Sequence, residues 1–220
     1  MMGRFTLSAE HQAPEAILIG GSAGAIEVVS LALAALPGDF AMPIVVLVHL
    51  PRQRPSALTG ALSGKCRLAL REPLDKEPLA PATVYLAPPD YHLLIDPGPS
   101  FAFSIDQPVN FSRPSIDVLF QSAADVLGPR CAAVLISGAS PDGAQGLRAI
   151  QQTGGLVAIQ DPADAAQGTM PKAAITLCPD APVLSATEIS QSVFKKWTGV
   201  DGGVKSAHAI AKPLPHGSEG

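Results

Sequence analysis

The chain has 220 residues, 47% hydrophobic and 15% charged, enough for one compact domain with a sizeable core and too apolar to be disordered throughout. Fifteen basic against 19 acidic residues give a formal charge of −4, so no global electrostatic argument favours nucleic acid or an anionic membrane surface. The 3 cysteines, Cys66, Cys131 and Cys178, are widely spaced without a C-x-x-C or Cys/His ligand pattern, and read as free thiols.

In chain order, residues 1–15 read as a flexible polar leader. Glu10, His11 and Glu15 interrupt the apolar core that a secretory signal needs, which favours the cytoplasm. The stretch from Ala16 to Leu36 is about long enough to cross a bilayer, but Glu27 and the break at Gly20-Gly21-Ser22 argue against membrane insertion. It reads instead as a strand at Ala16 to Ile19, a glycine turn, and a helix carrying Ile26, Val29, Leu33 and Leu36 at helical spacing until Pro37-Gly38. Ile44 to Val48 is a second buried strand, and strand, helix, strand in this order predicts a right-handed parallel crossover.

Between Arg67 and Ile105, short segments such as Thr83 to Leu86 and Phe101 to Ile105 are separated by Pro88-Pro89-Asp90 and Asp96-Pro97-Gly98, a pattern of meandering or hairpin strands. Alternation then resumes with a helix over Pro114 to Leu127, a strand over Ala132 to Ile136, a helix after Asp142 and a strand over Leu156 to Ile159. The expected fold is a three-layer α/β domain over residues 16–198, its sheet mostly parallel with a small antiparallel extension. Residues 199–220, rich in Gly, Pro and Ser, read as a disordered tail.

Gly20-Gly21-Ser22-Ala23-Gly24 matches G-x-S-x-G between a strand and a helix, where a tight turn can lift a serine hydroxyl to the carboxyl edge of a sheet. The competing role for Ser22 is a plain helix cap. His49 follows the second strand directly, and Asp142 lies in the loop Ser137-Gly138-Ala139-Ser140-Pro141-Asp142-Gly143 after another, so both are expected at the same edge. A satisfied strand-end histidine and a Pro-Asp-Gly turn are their bland readings. Together they have the types of a nucleophile, its base and the carboxylate that orients the base, with backbone N–H groups at Ala23 and Ala139 as candidate oxyanion donors. The order Ser, His, Asp and the serine on the first strand depart from an ordinary lipase fold, and nucleotide binding is disfavoured because G-x-G-x-x-G is not matched.

These residues resemble the catalytic domain of the chemotaxis protein-glutamate methylesterases, the CheB family, over roughly Ala16 to Leu177. Ile19 to Gly24, Val48-His49-Leu50-Pro51, Arg113-Pro114-Ser115-Ile116-Asp117-Val118-Leu119-Phe120 and Ser137 to Ala144 carry the likeness. The resemblance implies hydrolysis of glutamyl methyl esters on the cytoplasmic helices of chemoreceptors, deamidation of receptor glutamines, and no metal or organic cofactor. It also implies a receiver domain that usually precedes the catalytic one; with 15 residues ahead of the first strand, a stand-alone or excised catalytic domain is expected, with a separate receiver protein as one candidate controller. Where the family commonly has Thr after the nucleophile and Thr-Gly-Met-Gly before the acid, this chain has Ala23 and Ser137-Gly138-Ala139-Ser140. A weakened regulatory or binding module, or an esterase with a changed substrate, is the alternative. Arg113 either aims at an acidic substrate or caps carbonyls, the structural role being favoured; Lys172 and Trp197 read as solvated and packing residues.

Overall fold

The computed structural model describes residues 13–49 and 57–198. Seven strands form one sheet: β1 (Ala16–Gly21), β2 (Ile44–Val48), β3 (Ala69–Arg71), β4 (Thr83–Leu86), β7 (Cys131–Leu135), β8 (Leu156–Gln160) and β9 (Val183–Leu184). Their spatial order is β3-β4-β2-β1-β7-β8-β9, and every neighbouring pair is parallel. Between β4 and β7 the chain makes a separate antiparallel hairpin, β5 (His92–Asp96) and β6 (Ser100–Ser104).

Every residue of β1, β2, β7 and β8 is buried, as their continuous apolar runs require of strands covered on both faces. Alternate side chains serve two cores. Ile17, Ile19, Val46 and Val134 meet α1 (Ala25–Ala34) and α2 (Ala57–Leu62), while Leu18, Leu47 and Leu135 meet α3 (Ile116–Leu127), α4 (Ala144–Gln152) and α5 (Thr169–Leu177). On the α1 side the layer is completed by α6 (Ala186–Glu188), a π-helical turn (Ile189–Val193) and α7 (Phe194–Thr198), which bring Ile189, Val193, Phe194 and Trp197 into that core. Trp197 meets Phe194 edge-on at 6.2 Å and Lys172 is exposed, as the sequence suggested.

The three-layer parallel architecture agrees with the sequence reading, and two details differ. Thr83 to Leu86, placed among the hairpin strands, is β4 of the parallel sheet: it pairs with β2 and sends Val84 to one core and Tyr85 to the other. The antiparallel part is not continuous with that sheet; the β5–β6 hairpin packs on α3, where Ile95 N donates to Ser122 Oγ at 3.0 Å and Phe101 meets the Tyr85 ring at 4.6 Å. The α3 helix begins two residues after Pro114 because extended Ser115 is its N-cap, accepting from Val118 N. The expected leader as far as residue 12, the tail from 199, and Leu50-Pro51 lie outside the described residues. Glu15, at the end of that leader, is tied down: its N–H donates to Arg130 O at 2.7 Å and its carboxylate accepts from Arg130 Nη1 at 2.6 Å.

Among the described residues no helix is long and apolar enough to cross a membrane. The cysteines are free, and burial pushes the thiols of Cys131 and Cys178 up, away from nucleophilic use.

Candidate active site

The strand order reverses at β1. The chain fills the sheet on one side through β2 and on the other through β7, and in open parallel sheets the crevice at such a reversal, beyond the carboxyl ends of the strands, is the ligand site. Ser22 leaves β1 there, His49 leaves β2 and Asp142 sits in the loop after β7. Backbone hydrogen bonds continue the sheet past the last paired residues: His49 N donates to Gly21 O at 3.0 Å, Ile136 N to Gly20 O at 2.9 Å and Ser22 N to Ser137 O at 2.8 Å.

The serine turn is held from below. Ser137, fully buried, donates from Oγ to Ala23 O at 2.7 Å and accepts from Gln167 N at 2.9 Å, while its own N–H donates to the Gln160 side chain at 2.9 Å. Gly24 then turns the chain into α1 at φ 82, a left-handed conformation, and a Cβ there would collide with Ala166 and approach Ser137 Oγ at 2.9 Å. Ser22 does not cap the helix with its side chain, which removes the bland reading of that residue; α1 has no side-chain cap. Among the described residues the N–H groups of Ala23 and Ala139 donate to nothing, and both residues are exposed. The Ser22 hydroxyl likewise makes no hydrogen bond to a described residue.

Asp142 is completely buried. His49 Nε2 approaches its Oδ2 to 2.9 Å, a close contact lying off the line of a straight ring N–H bond. The carboxylate also lies on the N-terminus of α3: Ile116 N donates to Oδ2 at 2.7 Å and Asp117 N to Oδ1 at 3.2 Å. Ser115 Oγ at 2.8 Å and Asn110 Nδ2 at 3.1 Å complete Oδ1. Burial opposes ionisation of Asp142, but His49, Asn110, Ile116 and Ser115 together outweigh it and hold the carboxyl below its usual range. Asp117 goes the other way, raised first by burial and further by the charge of Asp142, although Gly146 N donates to it at 2.8 Å and Asn110 Nδ2 at 2.8 Å.

Asn110, Ser115, Asp117 and Ser137 were not singled out from the sequence as members of this site. Ser115 stood inside a segment read as a helix entry; its role follows from the N-cap geometry. Its N–H donates to Nδ1 of buried His92 at 3.2 Å, which leaves the other ring nitrogen of His92 to donate to Gln107 O at 3.1 Å. Arg113 takes the structural role favoured for it, donating from Nη1 to the carbonyls of Ile105 and Asp106 at 2.8 and 3.0 Å.

The family model for CheB methylesterase matches residues 17–193. The chain belongs to the CheB methylesterase family. A protein of Leptospira interrogans serovar copenhageni, provisionally named protein-glutamate methylesterase/protein-glutamine glutaminase, is 42% identical over 177 residues, covering 80% of this chain and 92% of that relative. One of Maricaulis maris with the same activities in its name is 33% identical over 84% of this chain but only 47% of its own length, so the chain spans about half of such longer relatives. The crystal structure of the Thermotoga maritima CheB methylesterase catalytic domain superposes with a TM-score of 0.78 at 28% identity, covering 84% of this chain and 99% of that domain.

Proposed function

We propose that this CheB-family chain is a protein-glutamate methylesterase in which Ser22 is the nucleophile, His49 the base and Asp142 the carboxylate that orients the base. The observation that carries the assignment is the 2.9 Å approach of His49 to a buried, ionised Asp142 at the strand ends that flank the Ser22 turn. The Asp142 carboxylate, 2.9 Å from Nε2, favours the ring proton there and leaves Nδ1 as the atom to accept the Ser22 proton. Oγ then attacks the ester carbonyl, and the oxygen of the tetrahedral intermediate takes the negative charge beside the unpaired N–H groups of Ala23 and Ala139. Collapse expels the methoxy group, which leaves as methanol with the proton held by His49. Water, deprotonated by the same ring, hydrolyses the acyl-enzyme and returns the proton to Ser22. A glutamine side chain entering the same path releases ammonia.

The substrates are methylated glutamates on the cytoplasmic helices of chemoreceptors, placing the reaction in the cytoplasm, and a separate receiver protein is the proposed controlling partner. The test is methanol release from a methylated receptor fragment by the parent and by Ser22→Ala, with folding followed by thermal melting. A folded Ser22→Ala protein is expected to lose activity by roughly three orders of magnitude or more. Full activity in that variant overturns the mechanism, and absence of methanol release by the parent leaves a family member that no longer hydrolyses this ester.

A further inference from the structure

The loop between β6 and α3 reaches over the acid of the site through a turn with an unusual backbone. Val109 N donates to Ser112 O at 3.1 Å and Ser112 N to Val109 O at 2.9 Å, closing a two-residue turn. Both middle residues are left-handed, Asn110 at φ 49 and Phe111 at φ 61, the geometry of a type I′ turn. Asn tolerates that region, whereas a bulky side chain is strained in it. Phe111 gains no packing in compensation, for its relative exposure is 105%. What the turn secures is the inward direction of Asn110.

One nitrogen of Asn110 serves two carboxylates. Nδ2 donates to Asp117 Oδ2 at 2.8 Å and to Asp142 Oδ1 at 3.1 Å. The opposite orientation of the amide would set its oxygen against two acceptors, so the hydrogen-bond pattern fixes which end faces inward. The other donors to Asp142 come from His49 and from the first turn of α3 and its cap. Among the described residues Asn110 is the one side chain that donates to both carboxylates, and it does so from a different segment, held by Arg113 through the carbonyls of Ile105 and Asp106.

We propose that Asn110 is a positioning residue for the methylesterase reaction, sharing its amide N–H groups between Asp117 and Asp142 so that both buried carboxylates coexist and Asp142 stays aimed at His49. This rests on the assignment of Ser22, His49 and Asp142 made above. Two acids brought together without a shared donor repel, and the repulsion is relieved by protonation or by separation. Protonating either acid rearranges the hydrogen bonds at Asp142, and separating them moves the carboxylate that orients the base.

The charged and titratable groups around Asn110 are Asp117 of α3, Asp142 with His49 behind it, Asp106 and Arg113 of its own loop, and His92 of β5 beneath Ser115. Two substitutions suit the left-handed backbone: Asn110→Gly deletes the amide, and Asn110→Asp replaces it with a third carboxylate. Loss of a hydrogen bond to a charged acceptor is expected to lower kcat roughly 10- to 100-fold in Asn110→Gly. KM is expected to hold, since Asn110 is assigned no contact with substrate.

The pH profile separates positioning from a general structural role. At neutral pH Asn110→Asp carries three mutually repelling acids, but on acidification one takes up a proton and its O–H replaces the missing donor. The ratio of Asn110→Asp to parent activity is therefore expected to rise as pH falls, and to rise more steeply than the ratio for Asn110→Gly, which has no third acid to supply the O–H donor. Nitrogen-15 NMR of the His49 ring reads the same event without turnover, as one Nε2–H tautomer in the parent and a mixture in Asn110→Gly at neutral pH. Thermal melts accompany both variants, and Asn110→Asp at low pH carries the test should Asn110→Gly not fold.

Parent-like kcat and ring tautomer in folded Asn110→Gly overturn the proposal, as does a pH-independent ratio for Asn110→Asp. If the parent itself releases no methanol, the methylesterase assignment fails separately, and the ring tautomer still decides the role of Asn110.

Discussion

Two carboxylates, Asp142 at the strand ends and Glu77 on the loop after β3, are both held below their usual range by opposite means. Glu77 sits beside a full positive charge: Arg71 donates through both terminal nitrogens, one at 2.8 Å, and its guanidinium also covers the Tyr85 ring at 4.9 Å from the centroid. The Arg71 hydrogen bond is the largest cause that brings Glu77 down to about 2, with burial opposing and Leu74 N adding to it. Among the described residues no cation is in permanent contact with Asp142. It is stabilised by dipoles: two backbone N–H groups at a helix start, a hydroxyl, an amide and an imidazole. A charge paired with arginine is already neutralised locally, whereas one held by dipoles is still free to favour an imidazolium at His49, as the proposed role of His49 as base requires. The first arrangement suits a clamp and the second suits a site.

The largest expected difference is in turnover. Asp142→Asn keeps the shape but removes the charge and offers His49 an N–H, reversing the ring tautomer, so kcat is expected to fall on the order of 10⁴-fold. Glu77→Gln is expected to leave turnover unchanged. Steady-state methanol release by both folded variants checks this, and comparable losses in the two would erase the distinction between site and clamp.

The next difference concerns the glycines beside each acid. Gly143, immediately after Asp142, has φ 93, and a Cβ there would lie 2.6 Å from both Ile116 Cγ2 and Leu135 Cδ1. Gly98, in the hairpin turn near Glu77, has φ 83 and open space around the same position. Alanine at 98 is expected to cost about 1–2 kcal/mol, the conformational term alone. At 143 overpacking adds about 1–3 kcal/mol more, and Asp142 should shift with its neighbour. Urea midpoints give the two costs, and equal values would show that the α3–β7 packing yields as readily as open solvent.

The two regions also differed in how far they could be read from sequence. The placement of Ser22, His49 and Asp142 at one sheet edge was legible because each follows or lies just beyond a strongly apolar run, and parallel strands carry their carboxyl ends to one edge. β4 was not placed correctly: four residues between turn signals have no periodicity that distinguishes a parallel partner from a hairpin one, and its neighbour was decided by burial on both faces. The short α5 helix, with Pro171 near its start, was left unread for the same want of pattern. Asn110 and Asp117 were hidden more deeply. Asn110 precedes Asp142 by 32 positions and reaches it through left-handed backbone at two consecutive residues, and only the tolerance of asparagine for that conformation offered a signal.

The smallest expected effect is on stability against pH and salt. Glu77 is depressed in the folded chain, so its contribution is fully present above the ordinary glutamate range and is lost as pH falls towards about 2. Asp142, also depressed, acts in the same direction. Asp117, raised chiefly by burial, acts in the opposite one: its contribution is present in acid and lost as pH rises through its folded value. Acid titrations of the parent therefore mix opposing parts, and Glu77→Gln isolates one of them. Because the Arg71 side chain is 42% exposed and Glu77 16%, solvent screens the pair, and removal is expected to cost about 1 kcal/mol at neutral pH, declining to nothing near pH 2. Raising salt to 1 M shortens the screening length to about 3 Å, so the difference between parent and Glu77→Gln should shrink further. The acid sensitivity that remains in Glu77→Gln combines the buried Asp142 and Asp117 with exposed Glu188, whose carboxyl is also lowered, by its bonds with Ser185; once Glu188→Gln is added, what is left should change little with salt. Urea titrations of the parent, Glu77→Gln and the Glu77→Gln/Glu188→Gln double variant at two pH values and two salt concentrations measure these contributions; a salt-sensitive remainder in the double variant would mean that the buried pair feels solvent and that dipoles are not what hold Asp142 ionised.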